Sequence, residues 1–341
     1  MNTALDALIA KQTMLYEHAH AQPIELKPFG FALKREGIDL TKLYCNPSYL
    51  PLPLNHEAFA ELGRAQLSVL TASFFARVYG EIAGSELLAI RYNNLVAEGV
   101  FTRYSDDYMV LFNETAEECD HVVTFRAINQ AILQDPLAVD SRRYPHLASA
   151  IPYLDLQRTK LSGEAFGGLF LLLRYILNLA LKQLEGFMQL GLESADAAQV
   201  ARDIVTHHSA DEARHMTTSV GLGLGLYRSA DAPSRKIIGN AVKQAMSSMI
   251  AARFGETRAM LHAQLAQEAL SLAVRHPVFA EVDSVRLLRA AKEHAAEAPL
   301  SVEYASSQRW LARQVQRLAA ELEVRPVAPE AVMDNFQQLA G

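Results

Sequence analysis

The chain has 341 residues, half of them hydrophobic, and its 32 basic and 38 acidic side chains give a net charge of −6. This composition predicts an ordered globular protein with a substantial core, and it leaves no surplus of basic residues to bind the phosphates of a nucleic acid. Cys45 and Cys119 are too few for a disulfide framework, and the N-terminus lacks the pattern of a secretion signal, so a cytoplasmic protein is expected.

Helical patterns dominate the N-terminal half of the sequence. Four segments are predicted there, namely a short helix, an irregular proline-containing arm and two long helices: 1–22, 23–54, 55–99 and 105–133. Asn55 and Ser105 are the predicted N-caps of the two long helices. Pro136, Pro145 and Pro152 are expected to break the connection that follows.

The C-terminal half continues in the same way. An apolar helix is predicted over 163–191, and the helix after the loop 194–198 is expected to end at the glycine-rich run Gly221–Gly225. Three further helices are expected after that run: 233–275, 278–297 and 300–324. No strand alternation is visible, so the predicted fold class is all-α.

The helix 163–191 is apolar enough to be compared with a membrane span. It carries Arg174, Asn178, Lys182 and Glu185 at roughly helical spacing. A helix that faced lipid with these charges would lose several kcal/mol for them. We therefore expect no membrane span, but a helix buried in protein with one polar stripe that faces a site.

The motif His208-Ser-Ala-Asp-Glu-Ala-Arg-His215 is the most informative in the chain. In a helix, His208, Glu212 and His215 lie at i, i+4 and i+7 and point off one face. A second pair with Glu-x-x-His spacing, Glu118 and His121, lies in the helix 105–133. Two such pairs, with one Glu from each of two other helices, form the carboxylate-bridged di-iron or di-manganese centre of four-helix bundles. The sequence therefore predicts a buried redox metal centre.

Helix geometry indicates the remaining carboxylate ligands. Ligands on antiparallel helices reach the same level when they lie equally far from the connecting loop. By this rule Glu86 faces Glu118, whereas Glu81 is about one turn too deep. Glu185 is the candidate from the helix 163–191, although it lies closer to its loop than Glu212 does.

Neighbouring residues complete the predicted centre. His208 lies on the face of the other ligands, whereas His207 points about 100° away, so His208 is the predicted third histidine ligand. Glu117 and Asp211 each precede a predicted ligand. Each can accept the free N–H of a metal-bound imidazole on the facing helix and so fix the orientation of that ring.

Other motifs are expected to have structural roles. Glu17 and His20 also have Glu-x-x-His spacing, but no helix with an acidic partner precedes them, so they are not expected to bind metal. The run Gly221–Gly225 follows a helix rather than a strand, which favours helix termination over nucleotide binding. Cys119 points away from the direction of Glu118 and is expected to be a small buried packing residue.

These residues resemble the p-aminobenzoate N-oxygenase family of ferritin-like di-iron oxygenases. The resemblance covers roughly residues 55–225, and Arg202 lies where this family often has an arginine. It depends on the predicted ligands, which include the signature His-x-x-x-Glu-x-x-His: Glu86, Glu118, His121, Glu185, His208, Glu212 and His215. One departure is the connection from Glu185 to His208, which is a few residues shorter than expected for the family.

The resemblance implies a ferritin-like four-helix bundle with additional peripheral helices. Within one structural domain, the expected sections are an N-terminal helix and arm, the di-iron bundle, and C-terminal helices packed on it: 1–54, 55–225 and 226–341. Two iron ions would activate O₂ and oxidise the nitrogen of a small amine to a hydroxylamine, nitroso or nitro product, with electrons from an external donor. Manganese suits the same ligands, and a homodimer is expected.

Several alternatives use the same residues. Hydroxylation or desaturation of carbon on the same centre is the main one, because the pocket rather than the ligands chooses the atom attacked. The radical subunit of ribonucleotide reductase is disfavoured, since Phe125 occupies the position where that family commonly has a tyrosine. A non-catalytic iron-binding protein would not need the large flanking helices. A purely structural cluster would leave buried carboxylates without a cation.

Overall fold

A computed structural model of the chain describes residues 38–133, 145–254, 258–295 and 302–324. Within these residues the protein is all-helical, as predicted, and its single β-bridge joins Leu43 to Ala197. The α-helices in chain order are α1 Arg64–Val100, α2 Asp106–Leu133, α3 Pro145–Lys160, α4 Gly163–Gln189, α5 Gln199–Ser229, α6 Ala232–Phe254, α7 Arg258–Ala273, α8 Ser284–Glu293 and α9 Val302–Glu321.

Helices α1, α2, α4 and α5 form the centre of the structure. α1 packs along α2, α4 packs along α5, and contacts of α1 with α4 and of α2 with α5 join the two pairs. Each pair is antiparallel: Glu98 near the end of α1 accepts a 2.7 Å hydrogen bond from Tyr108 near the start of α2. Likewise, Gly168 near the start of α4 lies against Tyr227 near the end of α5. The middle turns of the four helices therefore face one another.

The remaining helices cover the central four. α6 and α9 pack on α4, α7 packs on α1, α8 packs on α7, and α3 contacts both α1 and α4. Buried apolar side chains form large clusters between these layers. Because each fully buried large apolar side chain contributes about 1.5–3 kcal/mol, these clusters provide the main driving force for folding. They also shield the polar centre of the four helices from water.

Helix α4 is the one described helix that is long and apolar enough to span a membrane, and 67% of its most apolar window is buried within the protein. Its predicted polar stripe faces inward. Arg174, Asn178 and Glu185 are buried, and Lys182 donates to the backbone and side-chain oxygens of Ser209 on α5. The polar stripe therefore contributes side chains to the interior of the four helices.

Two predicted helix boundaries agree with the structure. α2 begins at Asp106, and the side-chain oxygen of Ser105 accepts a 3.4 Å hydrogen bond from the N–H of Tyr108. α4 begins at Gly163 as predicted. The chain turns away soon after α4 at Gly191, whose φ of 87° lies in the left-handed region that favours glycine.

The predicted start of the first long helix at Asn55 is wrong, because α1 begins at Arg64. Residues 57–59 form a separate 3-10 turn, and the backbone is extended at Gly63. The Gln66 side chain accepts a 3.1 Å hydrogen bond from the N–H of Gly63. Gly63 is therefore the residue that precedes the first turn of α1.

The expectation that Pro152 breaks the connection after α2 is wrong, whereas the residues 134–144 of that connection lie outside the described part of the chain. Pro145 is the first described residue of α3. The helix then continues through Pro152. Tyr92 of α1 donates a 2.9 Å hydrogen bond to Asp155 and so holds α3 against the central helices. Pro136 lies outside the described residues.

The expected end of α5 at the run Gly221–Gly225 is also wrong, because the helix continues to Ser229. The reason is the packing of α5 on α4. A Cβ atom on Gly223 would lie 3.0 Å from the Cγ atom of Leu172 and 3.2 Å from its backbone nitrogen. The glycine therefore permits close approach of two helices instead of a turn.

The three helices predicted after α5 differ in part from the structure. The segment 233–275 forms α6 and α7, which are separated by residues 255–257 outside the described part of the chain. The segment 278–297 contains the shorter α8, because Asp283 caps the helix by accepting a 3.0 Å hydrogen bond from a first-turn N–H. The segment 300–324 agrees well with α9.

The predicted N-terminal helix, 1–22, lies outside the described residues, and so do its Glu17 and His20. The first part of the predicted arm, 23–37, is also outside them. The described part of the arm, 38–54, has no α-helix or strand. It lies against α1 and the segment before α5 through backbone and side-chain hydrogen bonds. The irregular arm is thus confirmed for these residues.

Candidate metal centre

Carboxylates and imidazoles from α1, α2 and α5 meet between the central helices. In each of two groups, one potential ligand atom per residue lies within 4.8 Å of those of the other members. The first group is Glu86, His121, His208 and Glu212, and the second is Glu118, Glu212 and His215. All six side chains are buried. Because Glu212 belongs to both groups, two adjacent metal positions would share one carboxylate.

The side chains selected by helix geometry are buried in the structure. Glu86 is buried in the cluster, whereas Glu81 is only partly buried one turn away. His208 is completely buried, whereas His207 is exposed on the outer face of α5. The distance from the connecting loop selected Glu86, and the helical repeat selected His208. The spacing argument thus identified which member of each pair faces the interior.

The carboxylates of the cluster crowd one another. Burial, and then the charges of Glu118 and Glu212, raise the pKa of Glu86 well above its usual range. Burial also opposes ionisation of Glu118, but the His215 imidazole and hydrogen bonds from its neighbours hold the pKa of Glu118 well below its usual range. Buried carboxylates at such short separation call for cations to balance them. Metal ions would supply that charge.

Two of the histidines present their Nδ1 atoms to the cluster. His121 Nδ1 lies 3.1 Å from Glu118 Oε2, and His215 Nδ1 lies 3.0 Å from Glu212 Oε1. Each contact is within one Glu-x-x-His pair, at helical i and i+3. The pairs therefore supply one oxygen and one nitrogen each to the same small volume, which is what metal coordination requires.

The Nε2 atoms of the same two rings point to acids on the facing helix. His121 Nε2 lies 3.2 Å from Asp211 Oδ2, and His215 Nε2 lies 2.9 Å from Glu117 Oε2. Arg214 donates a 2.7 Å hydrogen bond to each of these two acids. Burial opposes ionisation of Asp211, but its bonds to His121 and the nearby charges lower its pKa to about 2. The contacts predicted for Asp211 and Glu117, which we call the outer acids, are therefore present.

His208 is oriented in a different way. Its Nε2 atom lies 3.2 Å from Glu86 Oε1 and 3.7 Å from Glu212 Oε1, so this nitrogen faces the cluster. Its Nδ1 atom lies 2.6 Å from Glu185 Oε1. The Tyr79 hydroxyl donates a 2.9 Å hydrogen bond to the same oxygen of Glu185. Glu185 belongs to neither of the two groups of potential metal ligands.

Sequence reasoning missed Tyr79, although a signal for it exists. Tyr79 lies seven residues before Glu86, two turns earlier on the same helix face. Its ring is fully buried and packs edge-on against His208 with centroids 5.9 Å apart, and it also contacts Phe125 at 4.7 Å. Burial first, and then the charge of Glu185, raise the pKa of Tyr79 well above its usual range, so the phenol remains protonated as a donor.

Sequence reasoning also missed the partners of Arg174. The guanidinium donates to Glu114 Oε2 and, at 2.6 Å, to Glu118 Oε1. It also donates to Asn93 Oδ1 at 3.3 Å, and these residues are all buried. Burial opposes the charge on Arg174, but the two carboxylates outweigh it and raise the pKa of Arg174. Glu114 lies one turn before Glu118, which is the spacing that could have indicated it.

Two other residues lie away from the cluster. Arg202, the arginine noted in the family resemblance, donates 3.4 Å hydrogen bonds to the carbonyl oxygens of Ser194 and Ala197. It therefore holds the loop before α5. The expectation that Cys119 is buried is wrong, because its thiol is exposed. One helical step of about 100° beyond the buried Glu118 carries the side chain onto the outer face of α2.

Comparisons of the chain with protein-family models, with curated proteins and with solved structures find no match. The chemistry of the site must therefore be inferred from its own side chains. Carboxylate oxygens and imidazole nitrogens together suit iron or manganese, whereas soft metals prefer sulfur ligands. The residues present thus fit a pair of such ions.

Proposed function

We propose that the protein is a di-iron oxygenase with a ferritin-like bundle that uses O₂ to oxidise the nitrogen of a small amine. The observation that carries the proposal is the pair of buried donor groups that overlap at Glu212. The assignment to amine nitrogen is supported by the resemblance of the signature from His208 to His215 to that of the N-oxygenase family. Electrons would come from an external donor.

The two groups of potential ligands indicate which residues would hold each metal ion. Glu86, His121, His208 and Glu212 would hold one ion, and Glu118, Glu212 and His215 would hold the other. When bound, two irons supply the binding and reduction of O₂, and manganese suits the same donors.

The surrounding residues prepare these donors. Glu117 and Asp211 fix the rotation and tautomer of the imidazoles whose nitrogens they contact. Arg174 compensates the charge of Glu118 and leaves the opposite oxygen of that carboxylate directed at His121. Apolar side chains such as Phe125, which stacks on His121, keep water from these groups. The chain therefore offers pre-oriented ligands in a dry environment.

The first test is metal content and oxygen consumption. Purified protein loaded anaerobically with Fe(II) should hold two irons per chain and should consume O₂ faster when a suitable amine is present. A storage protein would consume O₂ only in proportion to the added Fe(II). Protein that takes up no metal after loading would refute the proposal.

The second test is product analysis with ¹⁸O₂. Iron-loaded protein, a chemical reductant and a panel of aryl and alkyl amines are incubated under ¹⁸O₂, and the products are examined by mass spectrometry. Label on nitrogen is expected. Label on carbon, or loss of two hydrogens without label, would replace amine oxidation by hydroxylation or desaturation.

The third test uses a matched pair of variants. Glu212→Ala should remove bound iron and activity, because both groups of ligands include this carboxylate. Glu17→Ala should change neither, although Glu17 has the same Glu-x-x-His spacing in the sequence. Equal iron content in wild type and Glu212→Ala would contradict the assignment.

A further inference from the structure

The three buried histidines share one arrangement. Each ring directs one nitrogen at a carboxylate of the cluster. The other nitrogen faces a carboxylate that belongs to neither of the two groups of potential metal ligands. The outer carboxylates of His121 and His215 are Asp211 and Glu117. For His208 the corresponding residue is Glu185, at 2.6 Å from Nδ1. By this comparison Glu185 has the position of an outer acid.

We infer that Glu185, held by Tyr79, orients His208 and is not a metal ligand, so that three carboxylates and three imidazoles bind the metal pair. This inference rests on the proposed metal centre and changes its ligand set. Helix α4 then supplies an orienting carboxylate, whereas the family resemblance implies a ligand at this position. Glu185 and Tyr79 are positioning residues, since they act on the metals only through His208.

The level of Glu185 along the helices supports this role. Across the α4–α5 contact, Leu172 lies against Gly223, and Lys182 bonds to Ser209. Because the helices are antiparallel, these two contacts place the residue on α4 opposite Glu212 between Leu179 and Gln183, about one turn before Glu185. Glu185 therefore lies opposite His208. The short connection between these two residues in the sequence is what places them at one level.

Hydrogen bonding also supports an orienting role for Glu185. Glu185 Oε1 accepts from both Tyr79 and His208, and all three side chains are completely buried. Rotation of the carboxylate toward the cluster would leave the phenol and the Nδ1–H without an acceptor in a dry interior, which is costly. The second oxygen, Oε2, has no hydrogen-bond partner. It is the atom that a metal would have to recruit, so the experiment must test Glu185 directly.

The test is a Co(II) titration with metal analysis of wild type, Glu185→Gln, Glu185→Ala and Glu212→Gln. Glutamine keeps an oxygen that accepts the Nδ1–H of His208 but lacks the charge of a ligand. We expect two Co(II) per chain at saturation in wild type and in both Glu185 variants, with affinity weakened about 10- to 100-fold in Glu185→Ala. Glu212→Gln, the matched control at a shared ligand, should bind fewer than two.

Proton NMR of the Co(II) protein provides a second readout. Metal-bound imidazoles with a protonated outer nitrogen give shifted resonances that disappear in D₂O, and three are expected for His121, His208 and His215. Glu185→Ala should lose one of them through rapid exchange, and Glu185→Gln should keep all three. Tyr79→Phe, which leaves Glu185 and His208 in place, should keep two Co(II) per chain but speed the exchange of that one resonance.

The possible failures can be told apart. If wild type binds two Co(II) and Glu185→Gln binds fewer, Glu185 is a ligand, and only this inference is overturned. If Glu185→Ala keeps three slowly exchanging resonances, Glu185 does not orient His208, which also overturns it. If wild type itself binds no Co(II), the proposed metal centre fails, and the inference fails with it.

Discussion

Arg214 links Glu117 and Asp211, two of the acids that surround the candidate centre. It donates 2.7 Å hydrogen bonds to both Glu117 and Asp211, which in turn contact the Nε2 atoms of His215 and His121. One guanidinium on α5 thus fixes two carboxylates on two helices, and through them two imidazoles. Such chains reduce the number of ring orientations that metal binding must select. The orientation of the histidines is therefore built into the protein.

Loss of one outer acid should weaken metal binding without removing a site. We predict that Asp211→Ala lowers the affinity for Co(II) about 10- to 100-fold while two ions still bind at saturation. The reason is that His121 keeps its Nδ1 toward the cluster but loses the acceptor that fixes its tautomer. The measurement is a competitive chelator titration. Asp120→Ala, an exposed acid on α2, is the control and should bind like wild type.

Removal of the buried cation Arg174 should destabilise the fold. Arg174→Met leaves Glu114 and Glu118 buried without the guanidinium that both accept from. Breaking a buried ion pair on one side typically costs about 3–5 kcal/mol. We predict a loss of this size in the free energy of unfolding, measured by urea denaturation in the presence of a chelator.

A matched pair of variants makes the Arg174 experiment specific. Arg174→Met combined with Glu114→Gln should recover part of the loss, because one unpaired buried charge is then removed. Arg91→Ala is the control, since the ion pair of Arg91 with Asp155 is about half exposed and contributes about 1 kcal/mol or less. A loss no larger in Arg174→Met than in Arg91→Ala would contradict the role of Arg174 in the buried network.

Single residues of the centre were predictable where the helical period or the distance from a connecting loop determines them. The choice of Glu86 over Glu81 and of His208 over His207 needed only the period of a helix and the position of a loop. The contact of Tyr79 with Glu185 spans two helices. It depends on the rotation and relative height of α1 and α4, which the sequence does not state. Contacts that depend on the relative height of α1 and α4 therefore required the structure, whereas those of Glu117 and Asp211 with the facing imidazoles were predicted from the sequence.

At the scale of elements, glycine sets the distance between α4 and α5. Gly168 and Gly223 lie where a Cβ atom would come within 3.0–3.4 Å of the other helix. Close packing at these points keeps the polar stripe of α4 within hydrogen-bond reach of α5, as in the contact of Lys182 with Ser209. The separation of the two helices is thus fixed on one side of the candidate centre.

An added methyl group should therefore destabilise the helix pair at one glycine and not at another. We predict that Gly223→Ala lowers the free energy of unfolding by about 1–3 kcal/mol through overpacking against Leu172. Gly186→Ala, with no atom within 4 Å of the new Cβ, should raise it by about 0.5–1 kcal/mol through helix propensity. The urea midpoints give both values. Stabilisation by Gly223→Ala would contradict the close approach.

Local sequence signals predicted some helix boundaries and not others. α2 and α4 begin where capping and loop signals placed them, whereas the capping signal at Asn55 did not mark the start of α1. The run Gly221–Gly225 and Pro152 are local signals for a break, and tertiary packing overrides both. A glycine that allows a helix contact and a glycine that ends a helix look alike in the sequence. Only the position of α4 distinguishes them.

At the scale of the whole molecule, the candidate centre joins α5 to α1 and α2, from which α3 and α4 separate it in the sequence. Its six grouped side chains come from α1, α2 and α5, and they fill the middle of the four-helix core with charge where apolar packing would otherwise stabilise the fold. Burial raises the cost of that charge, as the raised pKa of Glu86 indicates. Metal binding should therefore contribute to the stability of the entire fold.

Metal loading should raise the unfolding temperature of the whole chain. A ligand that binds only the folded state at one hundred times its Kd stabilises it by about 2.7 kcal/mol for each site. We predict a single upward shift in Tm on Co(II) addition, measured by circular dichroism at 222 nm, and its reversal by a chelator. Glu212→Ala should lose the shift, since both groups include Glu212, while Asp120→Ala should retain it. An equal shift in Glu212→Ala would mean that the metal binds elsewhere, because no other described carboxylate belongs to both groups.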